Sequence, residues 1–159
     1  MTALAWEQAL LVNVHALALA MAAAGRVMAE HGGGRIVNAT SAAARMALPN
    51  YAAYAATKAA VDSLTRSAAV ALAPRGIRVN SLSPGMMDTA LQQRTEAAFC
   101  GLEGRSDLEA FKAERTARIP LGRRSEAAEM AAMVVWLATE APDYMTAARL
   151  NVTGGLDKD

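Results

Sequence analysis

Two long stretches of apolar and small residues dominate the hydrophobic pattern of the chain, and glycine or proline ends each of them. Residues 3–31 contain no proline and are rich in Ala, Leu and Met, which favour a helix. Three glycines follow at 32–34, and glycine tolerates the left-handed conformation at helix C-termini. The second stretch, residues 51–73, follows Pro49 and ends at Pro74. The pattern therefore predicts two long helices with sharp ends.

Three short apolar runs, one between these stretches and two after them, predict β-strands. They cover residues 35–40, 77–82 and 149–152, and small residues, a proline or paired glycines close each run. A third helix is predicted over residues 125–140, because glutamates follow Ser125 and are favourable near a helix N-terminus. Alternating helices and strands predict an α/β fold in which helices cover a parallel sheet.

The segment 86–119 is polar and mixed in character, and we predict one or two short helices there that cover a site. Its basic residues are interspersed with acidic ones, so the sequence indicates no preference for the charge of a substrate. These basic residues include Arg94, Arg105, Lys112 and Arg115.

The composition is that of a globular protein, with 53% hydrophobic and 19% charged residues. Sixteen basic residues against fifteen acidic ones give a net charge of +1, and no basic run stands out. We therefore expect no nucleic-acid partner. The single cysteine, Cys100, excludes an internal disulfide and a cysteine-rich metal site, and it favours a reducing compartment. No metal is expected.

The apolar residues 9–25 raise the question of a membrane span or a signal sequence. Asn13 and His15 interrupt them, and the stretch is shorter than the ~20 apolar residues that a span requires. A secretory signal begins with a positive region, whereas the only charged residue before this stretch is Glu7. We predict a buried helix, no membrane contact and a cytoplasmic protein.

Tyr54 and Lys58 lie four residues apart on the second predicted helix. At ~100° per residue, this spacing places both side chains on one face, about one turn apart. A neighbouring ammonium stabilises the phenolate form of a tyrosine, which suits general acid–base chemistry on an alcohol or a carbonyl. Ser41 follows the first predicted strand, and sites of parallel sheets lie beyond the carboxyl ends of strands. By itself, a Tyr-x-x-x-Lys spacing is common on surface helices.

Four segments together resemble the short-chain dehydrogenase/reductase family in order and spacing. They are residues 34–41 (GRIVNATS), 54–60 (YAATKAA), 76–85 (GIRVNSLSPG) and 151–155 (NVTGG). The resemblance covers essentially the whole chain. It implies a Rossmann-type fold and a nicotinamide cofactor, NAD or NADP.

The resemblance also implies a role for each matching residue. Tyr54 would be the catalytic acid/base, and Lys58 would stabilise its phenolate and bind the nicotinamide ribose. Ser41 would orient and polarise the substrate oxygen. Asn13 matches the asparagine that holds a water of the proton relay. The loop that contacts the nicotinamide end of the cofactor is matched by Pro84, Gly85 and Thr89.

The family begins with a strand, a Gly-rich turn and a helix whose N-terminus takes the cofactor pyrophosphate. No segment of this chain matches it, because the glycines at 32–34 follow a helix and precede a strand, the reverse order. The resemblance implies that the chain starts at the family's fifth helix and holds family strands 5, 6 and 7 of a doubly wound parallel sheet. We interpret residues 1–159 as a single, truncated domain, with residues 86–119 as its substrate loop.

Two hypotheses for the function follow. The first is an NAD(P)-dependent oxidoreductase that transfers a hydride between nicotinamide and a small alcohol or carbonyl substrate. The second is a non-catalytic, truncated remnant or subunit that binds no dinucleotide alone. NAD and NADP are not distinguished, because the strand end that separates them has no counterpart here. Family members associate through the two long helices, which are dense in alanine in this chain, so we expect a homo-oligomer.

Overall fold

The first long stretch is helical almost throughout. A computed structural model describes residues 2–157 of the chain. It divides this stretch into α1 (Ala3–Leu10), a π-helical segment (Leu11–His15) and α2 (Ala16–Glu30). The backbone N–H that follows the π-helical segment donates to a carbonyl five residues back, so the turn accommodates one extra residue. The sequence predicts the helix, and the π-helical turn inside it is a finding of the structure.

In the part of the chain that the structure describes, three strands form one parallel sheet in the order β1-β2-β3. They are β1 (Gly34–Ala39), β2 (Ile77–Pro84) and β3 (Arg149–Val152). The central strand, β2, runs beyond its predicted end, because its last residues pair with β3 after β1 has ended. The structure confirms the predicted α/β class and the parallel sheet.

Residues 2–157 contain four further α-helices: α3 (Ala52–Leu72), α4 (Ala90–Leu102), α5 (Leu108–Ala117) and α6 (Ala127–Thr139). The segment predicted to carry one or two short helices therefore carries two, α4 and α5. The last helix begins after Glu126, whose extended backbone and reciprocal hydrogen bonds with the third residue of the helix form a capping box.

The glycines that end the first helical stretch also lie against the turn before β2. Gly33 has a φ of +121°, and a Cβ at this position would lie 2.5 Å from the carbonyl oxygen of Gly76. A side chain there would clash with backbone, so the close approach of the two turns requires glycine.

Helices cover both faces of the sheet, and the alternation of side chains along β2 determines which residue faces which layer. Ile77 and Val79 pack with Met21 of α2 and with α3. Leu82 points to the opposite face and packs with Leu137 of α6. All five side chains are buried, so the chain has a core on each side of the central strand.

The prediction that the N-terminal helix is buried is wrong for this structure. Only Met21 and Gly25 of α2 are buried, and α1 has no buried residue. One face packs on the sheet and on α3, whereas no element of residues 2–157 covers the other. Its exposed large apolar residues are Leu4, Leu10, Leu11, Val12, Leu19 and Val27. By length and composition alone, Ala3–Glu30 would suffice to cross a membrane, a property that signal sequences and core helices share.

Candidate active site

A cavity of about 610 Å³ opens beyond the carboxyl ends of β1 and β2, between α3, α4 and α5. Its position follows from the parallel sheet, because adjacent parallel strands end at the same edge. Its volume is in the range of small-molecule sites. Six of the seven predicted site residues line it: Ser41, Tyr54, Lys58, Pro84, Gly85 and Thr89.

Tyr54 and Lys58 project from the first two turns of α3 towards the end of β1. The Lys58 ammonium lies 5.8 Å from the centre of the Tyr54 ring. It donates a hydrogen bond of 3.0 Å to the carbonyl oxygen of Ala39, the last residue of β1. Burial lowers the pKa of Lys58, because desolvation disfavours the ammonium form. Tyr54 keeps 39% of its surface exposed, so its phenol is accessible from the cavity.

Ser41 is the second residue after β1 and has an extended backbone. Its Oγ accepts a hydrogen bond of 3.1 Å from the Ala43 N–H. Because the hydroxyl is used there as an acceptor, its own proton is available to a substrate oxygen in the cavity.

Pro84 and Gly85 form the end of β2 on the cavity wall. A Cβ at Gly85 would lie 2.8 Å from the Cα of Thr153, so this position admits only glycine. The Gly85 N–H donates to the Val152 carbonyl at 3.0 Å, which extends the pairing with β3. Thr89 caps α4 by accepting a hydrogen bond of 3.2 Å from the Gln92 N–H.

Asn13 is the predicted site residue that does not line the cavity. It lies in the π-helical segment, and its Nδ2 donates to the Thr57 Oγ1 at 3.1 Å. The Thr57 hydroxyl in turn donates to the Tyr54 carbonyl oxygen at 2.8 Å. Asn13 is therefore linked, through the Thr57 hydroxyl, to the backbone carbonyl of Tyr54 in α3. Single π-helical turns within α-helices, such as the one that holds Asn13, are frequent at functional sites.

One wall of the cavity consists of residues that the sequence did not single out together. The rings of Tyr51 and Phe99 stack with centroids 4.6 Å apart. Arg115 donates a hydrogen bond of 3.3 Å to the Tyr51 hydroxyl. Burial raises the pKa of Tyr51, and the nearby Arg115 guanidinium opposes the shift. The sequence did contain one sign that Tyr51 belongs to this site. Tyr51 lies three residues before Tyr54, and residues at this spacing are neighbours on a helix.

A buried carboxylate fixes this wall to the rest of the fold. Glu96 of α4 is fully buried. It accepts a hydrogen bond of 3.1 Å from Arg115 of α5. Arg124, just before α6, donates two further hydrogen bonds to it, of 2.7 and 2.9 Å. One carboxylate therefore holds α4, α5 and the start of α6 together.

A partly buried charge, Arg149 of β3, supports the backbone at Ser41. Its guanidinium lies 3.6 Å from the Asp62 carboxylate and 3.7 Å from the Asp157 carboxylate. It also donates to the Ser83 Oγ at 2.7 Å and to the Ser41 carbonyl at 3.3 Å. The sequence showed Arg149 only as the first residue of a strand, so its role as a link between β3 and the site depends on the sheet order.

We expect Arg149→Met to destabilise the fold by about 3–5 kcal/mol, because it leaves two buried carboxylates without their cation. Urea denaturation followed by circular dichroism measures the change. Arg123→Met is the matched control, since the pair of Arg123 and Glu129 is solvent-exposed and contributes little. Equal denaturation midpoints for the two variants would contradict the role of Arg149.

Comparison with known proteins agrees with this geometry. The chain matches the family model described as enoyl-(acyl carrier protein) reductase over residues 1–157. It also superposes on a solved structure described as a short chain dehydrogenase/reductase family protein, with a TM-score of 0.83 and 31% sequence identity. That match covers 100% of this chain and 60% of the other. The chain belongs to the short-chain dehydrogenase/reductase family.

Relatives of this short-chain dehydrogenase/reductase chain include L-2,3-butanediol dehydrogenase of Corynebacterium glutamicum, 38% identical over 146 residues. That match covers 91% of this chain and 56% of the relative. A gluconate 5-dehydrogenase from Burkholderia cenocepacia J2315, solved in complex with NADP and tartrate, matches with a TM-score of 0.88 and 31% identity. Here 100% of this chain and 58% of the other are covered. The chain thus spans somewhat more than half the length of these relatives.

Proposed function

We propose that this chain provides the substrate half of an NAD(P)-dependent oxidoreductase acting on an alcohol or carbonyl group. The observation that carries the proposal is that Ser41, Tyr54 and Lys58 line one cavity at the carboxyl ends of the strands. An acid/base, a cation beside it and a hydroxyl donor are the groups that proton exchange with an alcohol oxygen requires. The family membership supports the same reaction class.

The cavity residues fit the nicotinamide end of the cofactor. Gly85 lies on the cavity wall together with Pro84 and Thr89, so the ring would lie against this part of the wall. Pro84 and Thr89 would hold the ring beside it, and Lys58 would bind the ribose hydroxyls. When bound, the nicotinamide accepts a hydride from an alcohol carbon or donates one to a carbonyl carbon.

The residues of this chain would move the proton and hold the oxygen. In alcohol oxidation, the Tyr54 phenolate takes the proton of the substrate hydroxyl, while the Ser41 hydroxyl donates a hydrogen bond to the same oxygen. Lys58 stabilises the phenolate through its positive charge. Asn13 would hold a water of the relay that returns the proton to solvent. Carbonyl reduction uses the same groups in the reverse direction.

The second candidate is a remnant or subunit that binds no dinucleotide alone. Within residues 2–157, no strand is followed by a Gly-rich turn and a helix, which favours this candidate for the chain by itself. The two candidates are separated by a chimera in which the part of C. glutamicum L-2,3-butanediol dehydrogenase that this chain does not match, 44% of that protein, is joined ahead of this chain. Formation of reduced nicotinamide from small alcohols supports the oxidoreductase; a folded chimera that binds NAD without turnover contradicts it.

We also propose that the protein is a cytoplasmic homo-oligomer that associates through its two long helices. The support is the apolar surface that they leave open, including Leu11 and Leu19 of the first stretch and Val70 of α3, which is 74% exposed. Monodisperse protein normally covers contiguous apolar patches of this kind.

The positive charge of Lys58 gives a further prediction. In Lys58→Met the cavity loses the cation beside the Tyr54 ring and the proposed ribose contact, so turnover and cofactor affinity of the chimera should both fall. Steady-state kinetics and cofactor titration of the chimera measure the two losses. Lys112→Met is the control, because Lys112 pairs with Glu109 at 2.7 Å and does not line the cavity. Identical turnover and cofactor affinity in both variants would remove Lys58 from the mechanism.

A further inference from the structure

The charged side chains on the cavity wall are positive. Among the described residues that line it, three are cationic, Lys58, Arg115 and Arg118, and none is acidic. Two acidic residues of α5 pair with cations outside the cavity. Glu114 pairs with Arg105 and Glu109 with Lys112, each at 2.7 Å, and both carboxylates are exposed. Of the basic residues that the sequence shows in segment 86–119, Arg115 and Arg118 therefore line the cavity, whereas Arg94, Arg105 and Lys112 do not.

Arg115 keeps unused capacity for an anion. Its Nε bonds to Glu96, but that carboxylate is shared with Arg124, so two guanidinium groups face one negative charge. Its Nη2 donates to the Tyr51 hydroxyl, and within residues 2–157 its Nη1 has no hydrogen bond. The guanidinium lies over the Phe111 ring, 5.5 Å from the centroid, which limits its motion. It is a fixed donor whose charge is only partly neutralised.

Arg118 lies one helical position beyond α5, at the mouth of the same cavity. Its side chain is exposed. The pKa of the Glu114 carboxyl is lowered mainly by its hydrogen bond from Arg105 and less strongly by the charges of Arg105 and Arg118. A cation at this place is stabilised by the C-terminal end of the helix. Arg115 and Arg118 are three residues apart, so they are neighbours on one helical turn.

The cavity that holds these arginines and the predicted catalytic residues also has apolar lining. Its apolar members include Met46, Leu48, Met86, Met87, Leu91 and Leu156. A ligand that fills the cavity would thus meet the hydroxyl groups of Ser41 and Tyr54, apolar side chains and two guanidinium groups.

We infer that the substrate is a hydroxy or oxo compound with a short apolar body and a carboxylate or phosphate group, which Arg115 and Arg118 bind. This inference rests on the proposed function for the reacting end, but the anion site is testable without turnover. Planar guanidinium groups favour such anions because they donate parallel, charge-assisted hydrogen bonds.

Calorimetric titration of the 159-residue chain with hexanoate and with uncharged hexanamide tests the anion site. We expect hexanoate to bind about tenfold more tightly, as one or two charge-assisted hydrogen bonds predict. Arg118→Gln should abolish most of this preference, and Arg115→Lys should reduce it without leaving Glu96 unpaired. Arg94→Gln is the control, because Arg94 is an exposed residue of α4 outside the cavity and should leave the preference intact.

Equal binding of hexanoate and hexanamide would overturn the inference, as would a preference that survives in both arginine variants. A cofactor phosphate is the other source of an anion here. Titration with inorganic phosphate and NADPH separates the two: if NADPH displaces hexanoate and loses affinity in Arg118→Gln, the arginines serve the cofactor and the substrate assignment is wrong. The proposed function is tested separately, by hydride transfer in the chimera. If the chimera transfers no hydride but the chain still prefers hexanoate, the proposed reaction is rejected and the anion site is retained.

Discussion

Tyr54→Phe is expected to lower turnover of the chimera by about 10²–10⁴-fold, the usual contribution of a general acid–base group. The substitution removes only the hydroxyl, which has no hydrogen bond within residues 2–157, and it keeps the ring that packs edge-on against Tyr51. The fold and cofactor binding should therefore be preserved. The measurement is the rate of nicotinamide reduction at saturating substrate, together with the affinity for the cofactor.

Tyr144→Phe is the matched control for this prediction. Tyr144 is fully exposed and does not line the cavity, so its hydroxyl should contribute nothing to turnover. A loss of less than about threefold in Tyr54→Phe, with unchanged cofactor binding, would be too small for a proton donor and would remove Tyr54 from the mechanism.

The 159-residue chain by itself is expected to bind NADH and NADPH no better than millimolar and to show no dehydrogenase activity. A dinucleotide pyrophosphate is normally held at a helix N-terminus that follows a strand and a Gly-rich turn. Within residues 2–157, Gly32 and Gly33 instead follow α2 and precede β1, which begins at Gly34. The residues proposed to contact the cofactor in the cavity would bind its nicotinamide end alone.

The same chain should also self-associate or be only marginally stable. β1 is an edge of the three-stranded sheet, and an edge strand exposes unpaired N–H and C=O groups that favour association. The exposed apolar face of α1 and α2 also favours association. Light scattering of the purified chain measures the association.

Calorimetric titration of the chain with NADH and NADPH, with the chimera as the matched control, tests the cofactor prediction. The chimera should bind at least one of the two nucleotides in the micromolar range. Micromolar binding by a monodisperse sample of the 159-residue chain would contradict the prediction and would mean that the cofactor is held without a Gly-rich turn.

Much of the local structure was determined by the sequence, because helices and strands depend on short-range properties. Helix propensity and the glycines after it predicted the first long helical stretch, and Pro74 marked the end of the second. The Tyr54–Lys58 spacing placed both side chains on one helix face. The positions of Ser41 and Pro84 at strand ends placed them at one edge of a parallel sheet, since parallel strands end together. The resemblance to the family named these same residues, and their catalytic roles stay predictions.

Tertiary structure alone decided which charges face the site. Glu96 gives no local sign of being the buried partner of two arginines, and its burial is what leaves Arg115 directed into the cavity. Arg149 reaches Ser41 only because β3 lies beside β2 in the sheet. Such contacts join residues far apart in the chain, so neither periodicity nor propensity contains them. The exposure of the N-terminal helix has the same origin: its apolar composition was visible in the sequence, but whether a neighbour covers each face is a property of the assembled fold.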